Sequence, residues 1–323
     1  MQDITQKHKM VMPEFIQPEL ATLVTSIPAK GNYLFEIKYD GYRLLTIIKN
    51  HEIILKTRNN HDWSKKFPQL IQALKKLSLK NAILDGEIVV LDKNGVSKFE
   101  LLQNAIEAKN SSIINYYVFD LLYYDGYYLG DLPLSKRRQT LKKLLQKSHY
   151  RKSLVQFSDN LTGNIAQIFK RLCKKKYEGI IAKNQDSIYQ SRRTKDWLKI
   201  KCTKKQEFII GGYTDPRGSR DLFGALLLGF IKNKKLVYCG KVGTGFNSLT
   251  LRKVFSCLQN YDQAKSSFAK APAGKNIHWV KPKLVAEIAF EDWTSDGYLR
   301  QPVFQGLRLD KDASKIIKET PHG

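Results

Sequence analysis

The pattern of predicted secondary structure changes near residue 202, and this change constrains the fold more than any other feature of the chain. Before it, apolar strand-like segments alternate with helical patterns. After it, short strand-like segments follow one another between Gly, Pro and Asn residues, and only residues 248–259 have a helical pattern. We therefore predict two domains, residues 1–202 and residues 203–323.

The two parts predict different architectures. The strand-like segments of the first part are YLFEIKYDG, RLLTII, IILKTR, AILDGEIVVLD, YYVFDLLYY, GIIAK and WLKIK. Its helical patterns cover residues 67–77, 134–147 and 164–176. Together they predict an α+β domain with helices on the surface of a sheet. The short strands and single helix of the second part predict a small, partly open β-barrel of the oligonucleotide-binding (OB) type.

Net charge is the strongest signal in the composition. Lys and Arg number 55 against 30 Asp and Glu, which leaves +25 and a sequence pI near 9.7. Such an excess favours a polyanionic partner, because each Lys or Arg placed on a phosphate releases condensed counterions. A lysine-rich proteome explains the same excess. The basic residues are spread along the chain, so we expect a broad phosphate-tracking surface.

The absence of targeting signals and the spacing of the cysteines indicate a soluble cytoplasmic protein. The sequence has no run of about eighteen apolar residues and no secretory signal at its N-terminus. The four cysteines lie far apart, without a CxxC pair: they are Cys173, Cys202, Cys239 and Cys257. This spacing predicts reduced thiols and argues against a disulfide framework or a zinc site.

The segment EIKYDGYR, residues 36–43, is the sharpest candidate for chemistry. A nucleophilic lysine must spend time as the neutral amine, so its pKa must be lowered by burial or by nearby cations. We expect Arg43 and other lysines to lower the pKa of Lys38 in this way. Gly41 is expected to permit a sharp turn that brings Lys38 and Arg43 to one ligand. An ordinary hairpin with a surface lysine and a DG turn explains the same residues.

Four further charged residues have both a functional and a structural interpretation. Lys199 and Lys201 alternate on a strand, so they share a face and suit a phosphate, although a solvated charged strand has the same pattern. Glu87 interrupts an apolar strand, which indicates a ribose or metal contact or an internal salt bridge. Glu178 precedes an apolar strand and suits Mg²⁺, or else it pairs with the run Lys174–Lys176.

The sequence KYDGYR resembles motif I of the covalent nucleotidyltransferases, namely ATP-dependent DNA ligases, RNA ligases and messenger-RNA capping enzymes. An ordered set of segments that resemble the other family motifs follows it. They are TRN (57–59), DGE (85–87, motif III), FDLL (119–122, motif IIIa), EGIIAK (178–183, motif IV), WLKIK (197–201, motif V) and RLDK (308–311, motif VI). Each segment is a weak signal, but their common order makes the resemblance specific.

The closest resemblance is to the ligase domain of bacterial non-homologous end-joining DNA ligases, and it spans residues from about 12 to 314. The stretches that carry it include FEIKYDGYR, TRNNHDWSKKFP, YVFDLLYYDG, SRRTKDWLKIKC, EFIIGGYTDPRGSR and GKVGTGF. It implies a nucleotidyltransferase domain of ATP-grasp-like antiparallel sheets with flanking helices, followed by an OB-fold barrel. Those enzymes often add polymerase and phosphoesterase domains, which do not fit here. We expect a minimal two-domain ligase or a fragment of a longer protein.

The resemblance implies a role for each residue around the nucleotide. Lys38 attacks the α-phosphate of ATP and becomes lysyl-AMP. Phe119, which would otherwise be a core residue, stacks on adenine. In the family, an arginine six residues before the first lysine of motif V contacts the nucleotide, and Arg193 has this position. Because Arg192 is adjacent, the assignment can shift by one residue. The ATP-binding or AMP-binding residues implied are Glu36 at adenine, Arg43, Arg58, Glu87 at the ribose, Phe119, Arg193, Lys199 and Lys201.

Other roles concern pyrophosphate, the nick and the metal. Arg308 and Lys311 orient the leaving pyrophosphate when the second domain closes over ATP, and the domain then opens to admit DNA. Asp40 acts after lysine adenylation, near the nick termini or a metal. Glu178 and Glu87 hold Mg²⁺ or Mn²⁺, which polarises phosphate oxygens.

The implied reaction is ATP-dependent DNA ligation. AMP passes from the lysine to the 5′-phosphate of nicked double-stranded DNA, and attack by the 3′-hydroxyl seals the strand and releases AMP. We expect a monomer in the bacterial cytoplasm, associated with the nucleoid, with a Ku-like end-binding protein as a partner. An RNA ligase or capping-type guanylyltransferase would use the same lysine, and a non-catalytic nucleic-acid-binding protein is the second alternative. The segments FDLLYYDG, WLKIK and RLDK favour DNA ligase.

Overall fold

A computed structural model describes residues 9–146, 154–216, 221–274 and 276–320 of the chain. The chain divides into two compact units, of which the first ends at Cys202 and the second is Thr203–Thr320. Among the described residues, no helix is both long and apolar enough to cross a membrane. Lys147 of a predicted helix and residues 217–220 of the stretch EFIIGGYTDPRGSR lie outside the described residues.

The first unit contains ten strands and four α-helices among its described residues. The strands are β1 (Leu20–Leu23), β2 (Tyr33–Lys38), β3 (Tyr42–Lys49), β4 (Glu52–Thr57), β5 (Asn81–Val90), β6 (Ile114–Tyr124), β7 (Tyr127–Tyr128), β8 (Val155–Phe157), β9 (Gly179–Asn184) and β10 (Arg193–Lys201). The helices are α1 (Pro68–Lys75), α2 (Phe99–Glu107), α3 (Leu134–Gln146) and α4 (Ile165–Lys174). All predicted helices of this unit are present, and α2 is an addition to them.

These strands form two sheets, which confirms the α+β class. The larger sheet has the order β4-β3-β5-β6-β7, with β8 also paired to β6, and the smaller has the order β1-β10-β9-β2. Most pairs are antiparallel, as predicted. The pairs β1–β10 and β6–β8 are parallel, so the sheets are mixed.

The larger sheet is apolar on both faces because each face packs on a different layer. Leu44 and Leu84 point to the face covered by α1, α2 and α3, where Leu70, Leu102 and Leu141 complete the core. The opposite face meets the smaller sheet through a second cluster, whose members include Leu34, Leu45, Ile83, Phe119 and Trp197. Helix α4 covers the outer face of the smaller sheet. Residues of the predicted site lie on the facing sides of the two sheets, and the region between these sheets is called the cleft below.

The chain bends at Gly41, between β2 of the smaller sheet and β3 of the larger one, and close packing also requires glycine there. The φ of Gly41 lies outside the left-handed region, so no special turn conformation requires glycine there. A Cβ at this position would lie 2.0 Å from the carbonyl oxygen of Ile88. At the bend between β2 and β3, the glycine therefore allows the chain that enters β3 to approach β5 closely.

The prediction of four reduced cysteines is wrong. Cys173 near the end of α4 and Cys202 directly after β10 form a disulfide across 29 residues of sequence, with their Cα atoms 5.1 Å apart. The prediction failed because antiparallel pairing of β9 with β10 returns the chain to the end of α4, which the spacing of cysteines in the sequence does not reveal. Cys239 and Cys257 are free thiols.

The second unit is mainly β, as predicted. Its strands are β11 (Lys205–Thr214), β12 (Leu226–Lys232), β13 (Lys235–Val242), β14 (Asp262–Gln263), β15 (Ile277–Val280), β16 (Val285–Ala289), β17 (Asp292–Trp293), β18 (Leu299–Arg300) and β19 (Val303–Leu307). The long strand β11 pairs with β12 along one edge and with β15 and β16 in turn along the other. Helix α5 (Ser248–Gln259) begins with a capping box between Asn247 and Thr250. This arrangement is consistent with an OB-fold.

Candidate active site

Three adjacent strands place the predicted lysines on one face. Residues directly opposite each other in paired strands share a face, and side chains repeat on that face at every second position. The pairing of β2, β9 and β10 gives two neighbouring rows of residues. They are Lys38–Gly179–Lys201 and Glu36–Ile181–Lys199. A third row, Leu34–Lys183–Trp197, packs toward the larger sheet, so this face borders the cleft.

Glycine is required at the centre of the first row. A Cβ on Gly179 would lie 2.1 Å from the carbonyl oxygen of Ile200. Gly179 therefore permits the close pairing of β9 with β10, and it puts no side chain between Lys38 and Lys201. A phosphate group bound between these two lysines would therefore meet no side chain from Gly179.

Lys38 is held by a carboxylate. Its Nζ lies 2.6 Å from Oε1 of Glu178, and the two side chains are 20% and 6% exposed. Burial alone would lower the pKa of Lys38, but Glu178, then Glu87 and Asp40, outweigh burial and raise this pKa above the ordinary lysine range. The prediction that cations lower this pKa is wrong as stated, because carboxylates dominate the surroundings of the amine.

Glu178→Gln is expected to shift the reactivity of Lys38 to lower pH by at least about one unit. The carboxylate favours the ammonium form, so its loss lets the neutral amine appear at a lower pH. The measurement is acetylation of Lys38 across a pH series, followed by mass spectrometry of its peptide. Glu52→Gln, at an exposed end of β4, is the control and should leave the curve in place. An unchanged curve for Glu178→Gln would contradict the assignment.

Arg43 is held by a buried acid that the sequence analysis did not single out. Its Nε and Nη2 donate to Oδ1 and Oδ2 of Asp85 at 2.8 Å and 2.5 Å, and the hydroxyl of Tyr189 also donates to Oδ2 at 2.7 Å. Arg43 Nη1 donates to the backbone carbonyl of Glu19 at 2.5 Å. Asp85 is fully buried. A buried acid in an apolar strand needs a charged or hydrogen-bonding partner, so the position of Asp85 in such a strand was a sequence signal for an ion pair.

Glu36 lies in a buried polar network. Ser158 Oγ donates to Glu36 Oε2 at 2.8 Å, and Glu36 Oε1 lies 2.7 Å from Arg138 Nη1 and 3.1 Å from Lys183 Nζ. Lys183 Nζ also lies 4.1 Å from the centroid of the Phe119 ring. Burial lowers the pKa of Lys183, and Glu36 offsets only part of this effect. The sequence analysis assigned no role to Ser158, Arg138 or Lys183, although Lys183 ends the motif IV segment EGIIAK.

The remaining residues of the larger sheet approach the same cleft. Arg43 and Glu87 are opposite each other in β3 and β5. Arg58 directly follows β4, whose last residue pairs with Leu44 next to Arg43. Asp40 is buried, and its backbone N–H donates to Ser97 Oγ at 3.0 Å. The structure thus places Arg58, Glu87 and Asp40 beside the residues around Lys38.

Arg193 lies at the start of β10, whereas the lysine in the row of Lys38, Lys201, ends this strand. Arg193 comes six residues before Lys199, but β10 bulges against β1, so that Arg193 is opposite Leu20 and Lys199 is opposite Leu23, about 10 Å further along β1. Arg193 Nη1 donates to the carbonyl of Ala21. It lines a surface depression of about 470 Å³ together with Thr22, Gln190, Arg192, Thr194, Lys195 and Asp196. The contact of Arg193 or Arg192 with the nucleotide stays a prediction.

Arg308 and Lys311 lie in the second unit, and both have acidic partners there. Arg308 Nε and Nη2 donate to the two carboxylate oxygens of Asp310 at 2.9 Å each, and Nη1 lies 3.4 Å from Glu287 Oε1. Lys311 Nζ lies 2.9 Å from Glu207 Oε1. Burial would raise the pKa of Asp310, but the charge of Arg308 outweighs it, so this pKa is lowered. Both side chains are held in place by ion pairs.

Comparison with known proteins identifies the family. The sequence-family model described as ATP dependent DNA ligase domain matches residues 18–201. A second family model, described as ATP dependent DNA ligase C terminal region, matches residues 219–311. The chain belongs to the ATP-dependent DNA ligases. Of the families left open by the sequence, this assignment selects the DNA ligases over the RNA ligases and the capping enzymes.

The ligase has relatives among multifunctional end-joining proteins. It is 42% identical over 321 residues to the multifunctional non-homologous end joining protein LigD of Pseudomonas aeruginosa, covering 98% of this chain and 38% of the relative. Identity to the LigD of Mycobacterium tuberculosis H37Rv is 37% over 310 residues, covering 94% and 40%. The ligase thus spans about two fifths of the length of these relatives.

A solved structure described as mycobacterial DNA ligase D complexed with ATP and MES has the same fold. It matches the ligase with a TM-score of 0.69 and 35% identity, over 94% of this chain and 98% of the solved one.

The carboxylates beside Lys38 fit a divalent cation that also binds phosphate. Among the residues that the structure describes, no three His, Cys, Asp or Glu side chains form a metal-binding group. Mg²⁺ in phosphate-handling sites commonly takes only one or two carboxylates and fills its shell with water and phosphate oxygens. Glu178 and Glu87 of the ligase, whose charges both act on Lys38, supply this number of donors.

Proposed function

We propose that this ligase seals nicked DNA through a covalent lysyl-AMP on Lys38. The observation that carries the proposal is the row Lys38–Gly179–Lys201, in which two lysines on one face flank a glycine at the cleft. In the first step the neutral amine of Lys38 attacks the α-phosphate of ATP and pyrophosphate leaves. AMP then passes to the 5′-phosphate at the nick, and the 3′-hydroxyl displaces AMP to form the phosphodiester.

The residues around Lys38 supply positioning and charge for this chemistry. Lys199 and Lys201 neutralise the charge that develops on the α-phosphate. Glu36 and Phe119 bind adenine at the inner end of the cleft. Arg43, Arg58 and Glu87 hold the ribose and the phosphates. Mg²⁺ or Mn²⁺ bound by Glu178 and Glu87 supplies polarisation of phosphate oxygens.

Three residues act at other stages in this proposal. Arg308 and Lys311 orient the leaving pyrophosphate, a role that suits side chains already fixed by ion pairs. Asp40, whose charge acts on Lys38, is used after lysine adenylation, near the nick termini or a metal.

We propose a role in joining DNA double-strand breaks. Both LigD relatives are named for non-homologous end joining. The net charge of +25 favours a phosphate-rich substrate such as nicked double-stranded DNA. A Ku-like end-binding partner, a monomeric state and a location at the bacterial nucleoid belong to this proposal.

The test of the proposal is covalent labelling. Protein first stripped of AMP with pyrophosphate is incubated with Mg²⁺ and labelled ATP or GTP, separated under denaturing conditions, and digested for peptide mapping. We expect a label from ATP, located on Lys38, that transfers to nicked DNA more readily than to nicked RNA. A label from GTP, or a label on another lysine, would overturn the assignment.

A further inference from the structure

The disulfide Cys173–Cys202 joins two ends of the candidate active site. Cys173 lies in the last turn of α4. The loop after this helix ends at Tyr177, and Glu178, the acid that contacts Lys38, follows directly. Cys202 comes directly after Lys201 and is the last residue of the first unit. One covalent bond therefore fixes both the segment that leads to Glu178 and the segment that ends at Lys201.

The backbone at this bond is in direct contact with the active-site residues. The N–H of Cys202 donates to the carbonyl oxygen of Glu178 at 2.9 Å. Lys201 pairs with Gly179, which in turn pairs with Lys38. A displacement of the chain at Cys202 is therefore transmitted to Lys201 and to Glu178, on both sides of the reactive lysine.

Both bonded cysteines lie at partly exposed positions. Cys173 and Cys202 are partly exposed, whereas the free thiol Cys239 is fully buried. Exchange of a disulfide requires a thiolate to reach one of its sulfur atoms, so partial exposure makes the reaction possible.

We propose that Cys173–Cys202 is a thiol–disulfide exchange site at which a dithiol reductant lowers the rate of lysine adenylation. A thiolate of the reductant attacks one sulfur atom, forms a mixed disulfide and releases the other cysteine as a thiolate, which takes up a proton. The second thiol of the reductant then attacks the mixed disulfide and releases the remaining cysteine thiol. Two electrons and two protons pass to the protein, and the reductant leaves as a disulfide.

Reduction affects the site because the disulfide ties the end of α4 to the end of β10. In the reduced form β9 and β10 keep their backbone pairing, but the end of α4 is no longer tied to the end of β10. Lys201 and Glu178 then occupy a wider range of positions around Lys38, and loss of preorganisation slows the reaction. This inference rests on the proposed role of Lys38 in forming lysyl-AMP.

The experiment compares oxidised and reduced protein in a single turnover. Thiols are counted under denaturing conditions, with two expected before treatment with dithiothreitol and four after it, since the chain has four cysteines. The initial rate of lysyl-AMP formation from labelled ATP is expected to fall at least about threefold on reduction and to recover on reoxidation. Circular dichroism at the assay temperature verifies that the reduced protein remains folded.

Serine variants distinguish the effect of losing the disulfide from other effects of the reductant. Cys173→Ser and Cys202→Ser should both have the lower rate, with or without dithiothreitol. Cys257→Ser, which removes a partly exposed free thiol, should respond to the reductant as the unmodified chain does. Four thiols in protein treated with an oxidant, or a changed thiol count with an unchanged rate, would overturn the inference. Absence of any adduct in both redox states would instead overturn the proposed role of Lys38.

Discussion

Lys38→Arg is expected to abolish the covalent adduct and to lower nick sealing with ATP by at least about a thousandfold. Arginine keeps the positive charge opposite Glu178, whose Oε1 lies 2.6 Å from Lys38 Nζ, so the ion pair that supports the fold is retained. A guanidinium group remains protonated at all working pH values and therefore supplies no neutral amine as a nucleophile. The loss thus reports chemistry and not unfolding.

The measurement uses two substrates that separate the steps. With labelled ATP the variant should give no labelled protein on a denaturing gel. With nicked DNA whose 5′-phosphate already carries AMP, the lysine no longer acts as a nucleophile, so Lys38→Arg should retain far more activity. Lys49→Arg, at the exposed end of β3, is the matched control and should behave as the unmodified chain. A normal adduct in Lys38→Arg would exclude Lys38 as the adenylated residue.

Asp85→Ala is expected to lower the free energy of unfolding by about 3–5 kcal/mol, because it leaves the charge of Arg43 buried without its carboxylate. The variant also removes the acceptor of the Tyr189 hydroxyl, which donates to Asp85 at 2.7 Å. Since Asp85 fixes both Nε and Nη2 of Arg43, lysyl-AMP formation should fall as well. Unfolding in urea, followed by circular dichroism, measures the change in stability.

A double-mutant cycle shows whether the ion pair is the cause. The loss on Asp85→Ala should be much smaller in an Arg43→Met background, since no buried charge then remains unpaired. Asp186→Ala, which removes an exposed carboxylate that accepts from Asn32, is the control and should change stability by less than about 1 kcal/mol. Equal losses for Asp85→Ala in both backgrounds would show that the Arg43–Asp85 pair does not account for the effect.

Local patterns predicted most of the secondary structure. The segments named as strands form strands, and the four helical patterns correspond to α1, α3, α4 and α5. Helix α2 was missed although its signal was present, since Phe99, Leu102 and Ala105 repeat at helical spacing and all face the core. The β-rich second part predicted the barrel class because short strands with a single helix leave few other architectures.

The sequence also placed the candidate site residues on the correct kinds of elements, but their partners came from elsewhere. Alternation alone put Lys199 and Lys201 on one face. It did not show that Glu178 contacts Lys38, or that Asp85 binds Arg43, because each pair joins segments far apart in the sequence. The predicted direction of the pKa shift of Lys38 was wrong mainly for the same reason, since Glu178 and Glu87 come from distant segments and only Asp40 is a neighbour in the sequence.

The sequence by itself therefore determined the family, the residue types of the site and the face of the strand on which each lysine lies. Only the tertiary structure decided that Cys173 bonds to Cys202, that Glu178 contacts Lys38, and that Gly41 serves close packing. The physical reason is that side-chain periodicity is a local property, whereas strand pairing and register join distant segments and are set by burial of both sheets at once.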